Sequence, residues 1–167
     1  MKEQLMQYFL EEKTASMFLL LIGASGIVIA SYLLKYSSKK WLIGLSYPMS
    51  IISVLITALG GFIYWRTPVQ LEQLNIKLLG TPHSYYELEL QRMDGIINNF
   101  TYYNYIEIGL IGLGLILCIV AIKTRGFVFG AGLSLLFYGT ILLGFDNIAN
   151  ERAHRYHQSL IKHSKLE

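Results

Sequence analysis

Four stretches, residues 16–36, 41–65, 103–122 and 127–145, are each apolar over about the 20 residues a helix needs to cross the hydrocarbon core of a bilayer. In lipid every backbone N–H and C=O must be satisfied within the segment, so stretches of this kind have few options besides the α-helix. The links KYSSKK (35–40) and KTRG (123–126) are only a few residues long. Each pair of spans therefore has to fold back as an antiparallel hairpin. The expected fold class is all-α: an integral membrane four-helix bundle of two antiparallel hairpins forming one membrane domain over 1–167. Hydrophobic residues make up 53% of the chain and charged residues 15%, which excludes an ordinary soluble domain.

An even number of spans places both termini and the segment 66–102 on one face. The two tight turns carry Lys35, Lys39, Lys40, Lys123 and Arg125 with no acidic residue, which by the positive-inside rule predicts cytoplasmic turns and periplasmic termini in a bacterial inner membrane. Trp41 marks one interface, and Tyr64, Trp65, Tyr102, Tyr103 and Tyr105 mark the other. MKEQLMQYFLEEK at the start is amphipathic and acidic rather than a basic leader followed by an apolar core, so the first span is expected to serve as its own insertion signal.

Outside the spans, four extramembrane helices are expected at 3–13, 68–79, 84–102 and 146–163, together forming a small helical cap. Thr67-Pro68 fits an N-cap followed by N1, Leu71, Leu74 and Leu78 form one stripe, and Gly80 supplies a stop. Ser84 to Glu87 fits a capping box. Beyond it Tyr86, Leu90, Met93, Ile97 and Phe100 recur at helical spacing, beside a polar stripe of Glu87, Gln91, Asp94 and Asn98. No proline follows, which allows this helix to run unbroken into the third span. LIG recurs at Leu21 and Leu110, each followed 13 or 14 residues later by a basic turn. Such a repeat would relate two parallel hairpins by an axis along the membrane normal.

Glu107 stands one turn inside an apolar run, and Asp146 sits at the matching depth of the fourth span, with Arg152 following. An ionisable residue in a span is a functional candidate by default. The three are expected to form an intramembrane polar cluster that either ties the bundle to the cap or handles a proton or cation. Span two carries a polar face of Ser46, Ser50, Ser53 and Thr57, readable as tight packing or as a hydrophilic path. Small residues recur in every span and favour close helix approach, either within one bundle or between copies.

No histidine lies inside a span, which excludes a transmembrane bis-histidine haem. Glu151, His154 and His157 are spaced for a metal on one helix, but a di-iron bundle wants a second Glu-x-x-His, which this chain lacks. No cofactor is expected. Cys118 is a lone cysteine within an apolar helix and reads as filler. A net charge of +3 without a basic stripe offers nothing for nucleic acid. No G-x-S-x-G, HExxH, P-loop or dinucleotide fingerprint occurs.

NERAHRYHQ, residues 150–158, resembles the ERxxRxHxN signature of the MAPEG family through Glu151, Arg152, Arg155 and His157, with Ser159 at the Asn position. That resemblance implies a trimeric, glutathione-using four-helix membrane enzyme. WRTPVQ and the residues leading into span three are similar to small four-span bacterial membrane proteins of unassigned function. The leading expectation is a non-enzymatic assembly, accessory or immunity-type module. It would meet membrane lipids and either a second copy or a protein partner through Tyr85, Tyr86, Glu87, Arg92, Arg155 and Tyr156 on its cap. A small channel or transporter using Glu107, Asp146 and the span-two hydroxyls is the alternative.

Overall fold

A computed structural model describes residues 2–80 and 82–165, with backbone only for 82–84. Among the described residues the chain is all helix: α1 (Lys2–Tyr36), α2 (Lys40–Gly80), α3 (Pro82–Ala121) and α4 (Phe127–Ser164). Each is long and apolar enough to cross a membrane. At 1.5 Å per residue, the 40 residues of α3 extend about 60 Å, twice the thickness of a hydrocarbon core.

The expected extramembrane helices are continuations of these four rods. The separation expected at Thr67-Pro68 is absent, because α2 runs through both Pro48 and Pro68. A helix passing Pro68 must satisfy the carbonyls left behind. Nearby the Thr67 hydroxyl is shared between the Ile63 carbonyl (2.7 Å) and the Glu12 carboxylate of α1 (3.2 Å). The Arg66 guanidinium reaches the same carboxylate at 3.3 Å. Packing on α1 thus outweighs the local signal for a break. The Ser84 to Glu87 box falls inside α3, which already begins at Pro82, and the Ser84 side chain lies outside the described residues.

The helices pack in the order α1, α2, α4, α3, with hairpin partners side by side and α2 against α4 at the centre. At the turn end the central seam is reciprocal: Gly44 faces the Phe127 carbonyl, and Gly130 faces the Trp41 carbonyl. Exchanging the two hairpins exchanges these contacts, the relation expected of two parallel units about an axis along the bundle. Halfway along, Ala30, Met49, Ile56 and Tyr138 form a small core. The backbones of α1 and α3 stay apart, and all four helices contribute side chains only at the far end. There Leu5, Tyr8, Phe9, Tyr85, Tyr86, Met93, Ala153, Tyr156 and Leu160 close a second core over Leu71, Leu74 and Leu78. In between, most of each apolar window faces outward.

α3 ends at Ala121, where Arg125 adopts a left-handed φ of 42° and its N–H donates to the Ala121 carbonyl at 2.9 Å. A side chain in that region is disfavoured by about 1 kcal/mol. Arg125→Gly is therefore expected to raise thermal stability slightly, checked by melting the purified variant. A lowered melting temperature would show that the arginine side chain is needed at the turn.

Candidate functional site

The cap holds the best-built polar site. On α3, Tyr85, Glu89 and Arg92 share one face at helical spacing, and Glu89 is only 1% exposed. Arg92 donates to both Glu89 oxygens, Nε to Oε2 at 2.8 Å and Nη2 to Oε1 at 2.6 Å, the strong forked form of an ion pair. From α4 the Tyr156 hydroxyl donates to Glu89 Oε1 at 3.1 Å and lies 2.9 Å from the Tyr85 hydroxyl. Tyr8 of α1 stacks on Tyr156 with ring centroids 4.6 Å apart. The Arg92 guanidinium lies 5.6 Å from the Phe9 ring centroid. One carboxylate thereby ties α3 to α4, and α1 packs on its two partners through Tyr8 and Phe9.

Burial pushes the Tyr8 and Tyr85 phenols up to about 12, and Tyr156 is raised by burial and by the neighbouring Glu89 charge. An unfolded phenol titrates near 10. A folded-state value above the unfolded one means that this contribution to stability is complete below about pH 10 and lost as pH rises through 12. Part of the phenolate absorbance at 295 nm should therefore appear only above about pH 11, together with loss of the near-ultraviolet signal of the cap. A single ionisation step near pH 10 with the cap intact would contradict this arrangement.

The cap arrangement corrects the expected recognition surface. Tyr85, Tyr86 and Tyr156 are buried in the cap core instead of displayed, and Arg92 is turned inward to Glu89. Glu87 and Arg155 do lie at the surface, Arg155 with Glu11 at 3.7 Å and Glu151 at 4.0 Å.

The intramembrane cluster forms only in part. Glu107 and Asp146 meet across the α3–α4 seam, carboxyl to carboxyl. Glu107 is 5% exposed, and its Oε2 is buried without a hydrogen-bond partner. One turn nearer the cap on each helix, Asn104 and Asn150 also carry buried, unpartnered side-chain oxygens. Arg152 does not join them. It lies almost two turns beyond Asp146, with its guanidinium 5.8 Å from the Tyr8 ring centroid.

The span-two face is packed. Ser46, Ser50 and Thr57 donate to carbonyls of their own helix, and Ser53 bonds the Tyr138 hydroxyl at 2.5 Å. Gly23 and Gly26 of α1 press against Ser53 and Thr57, leaving no room for even one methyl group. Of the weak metal candidates, His157 pairs with Asp94 of α3 at 3.0 Å, Glu151 faces Arg155, and His154 is exposed. Among the described residues no group of three or more such ligands comes together.

Glu89 is not among the site residues expected from sequence, because it lies off the polar stripe of Glu87, Gln91, Asp94 and Asn98. Its signal was the four-residue spacing from Tyr85 and to Met93, which puts a carboxylate on an otherwise apolar face. No protein-family model, curated protein or solved structure matches this chain. The likeness of residues 150–158 to the MAPEG signature thus rests on those residues alone.

Proposed function

We propose that the chain is a non-enzymatic integral membrane protein of the bacterial inner membrane that assembles with a second copy of itself, its basic turns in the cytoplasm. The observation carrying this reading is on α3. Within the spans, Gly23, Gly26, Gly44, Gly60, Gly114, Gly130, Gly132 and Gly139 are filled against a neighbouring helix, whereas Gly109 and Gly112 on α3 and the isolated Gly144 on α4 meet nothing within 4 Å; Gly109 and Gly112 alone stand as a pair three residues apart on one helix face. Glycine in a helix facing lipid costs about 0.5–1 kcal/mol relative to alanine and gains no packing in return within the monomer. Flanked by exposed Tyr105 and Ile116, the two glycines make a shallow groove at which an identical helix can cross backbone to backbone. The cap, closed by its own buried ion pair, holds the four rods in register for that contact.

The test is Gly112→Leu. A Cβ at this position meets nothing within 4 Å, and leucine is the better helix former, so the monomer should melt at the same temperature or higher. Its assembly in lipid nanodiscs should nevertheless be lost. Unchanged assembly in both Gly109→Leu and Gly112→Leu would sink the reading.

A second reading, cation or proton handling, is favoured by one observation: Glu107 meets Asp146 at the span boundary, and Glu107, Asn104 and Asn150 each carry a buried, unpartnered side-chain oxygen. Glu107→Gln separates the two. Under the assembly reading the variant keeps its oligomer, and neither it nor the wild type passes ions into liposomes. Flux in the wild type that disappears in Glu107→Gln would favour transport.

A further inference from the structure

Arg152 is buried, at 9% exposure, yet no carboxylate pairs with it among the described residues, and its Nε has no hydrogen-bond partner. Its neighbour on the ring side is Tyr8, a cation–π contact that supplies no opposite charge. A buried, unpaired cation calls for an anion. Arg152 lines a groove of about 230 Å³ between α1 and α4, shared with Gln4, Gln7, Tyr8, Arg155 and Ser159. Amide, hydroxyl and guanidinium donors therefore converge on one space. The one acid in its lining, Glu11, is already engaged by the Gln7 amide at 2.9 Å and by Arg155 at 3.7 Å, leaving Arg152 as the uncompensated charge.

The groove's height narrows the chemistry. It spans residues 4–11 of α1 and 152–159 of α4. Its nearer edge is five to seven residues beyond the apolar spans, about 8–10 Å along the helix axes. Headgroup layers are about 5–8 Å deep on each side of the hydrocarbon, so the groove opens at their outer edge. We propose that this groove binds a phosphate group, with the Arg152 guanidinium as its forked partner and the Gln4 and Tyr8 side chains as flanking donors. The arginine fork matches phosphate oxygens two at a time, which a lysine cannot do. The phosphate belongs either to an anionic lipid headgroup or to a free phosphate anion.

The test uses the full chain in maltoside micelles, titrated separately with inorganic phosphate and with phosphatidylglycerol, reading thermal shift and the mass of retained ligand. The wild type should show a saturable upward shift with at least one probe. Stabilisation by phosphatidylglycerol alone identifies a lipid headgroup, and stabilisation by inorganic phosphate as well identifies a free anion. Arg152→Gln should weaken binding by about tenfold or more, the loss expected for a charge-assisted hydrogen bond, with Arg152→Lys between it and wild type. Ser159→Phe leaves Arg152 in place and fills the groove, so it should abolish the shift in a folded protein. No binding of either probe by the wild type overturns the proposal, as does unaltered binding by Arg152→Gln or by Ser159→Phe.

Discussion

Glu89→Ala is expected to unfold the cap while leaving the two hairpins helical. The substitution removes a carboxylate that is 1% exposed, strands the Arg92 guanidinium and takes the acceptor from the Tyr156 hydroxyl, which is left with the Tyr85 hydroxyl as its one partner among the described residues. Breaking a buried ion pair from one side costs about 3–5 kcal/mol because the remaining charge stays desolvated. Arg92 keeps a quarter of its side chain exposed, which places the expected loss near the lower end, about 3 kcal/mol. Measured against a total stability of about 5–15 kcal/mol, such a loss is large. The double variant Glu89→Leu with Arg92→Leu should recover most of it, since an apolar pair strands no charge. Chemical denaturation followed through the near-ultraviolet tyrosine signal distinguishes these outcomes, and a Glu89→Ala protein as stable as wild type would rule out a structural ion pair.

Gly130→Val should have a comparable effect at the opposite end. A side chain at Gly130 runs into the Trp41 carbonyl and the Leu45 amide of α2, and the reciprocal contact at Gly44 runs into Phe127. These obstacles are backbone atoms that cannot rotate away. Overpacking a core with movable side chains costs about 1–3 kcal/mol, and here α2 and α4 must instead separate. The expected result is loss of monodisperse protein in detergent. Gly144→Val serves as the control, because nothing lies within 4 Å of Gly144, and it should purify normally. If both behave alike, the α2–α4 seam is not where the hairpins are joined.

The four helices were legible because a long apolar run tolerates almost no other secondary structure, and the hairpin pairing followed from linkers too short to do anything else. The helix ends were not. Thr67-Pro68 carries a strong local signal for a helix start, yet α2 continues through it because Glu12 and Arg66 tie that turn to α1, contacts separated by more than fifty residues in sequence. Tyrosine is amphipathic, so Tyr85, Tyr86 and Tyr156 suited an exposed recognition surface as well as the stacked core they build. The pairing of Glu107 with Asp146 was readable from their matched depth, whereas the position of Arg152 depended on which way α4 is rotated. Small residues in the spans announced tight packing. Which of them face a neighbour within the chain and which face open space depended on the order in which the helices pack.

Self-assembly through the open face of α3 can be read out by native mass spectrometry of the full chain released from lipid nanodiscs. The expected result is a defined oligomer of the 19.0 kDa chain that collapses to monomer in Gly112→Leu without loss of thermal stability. A wild-type protein that is monomeric across nanodisc compositions would contradict it.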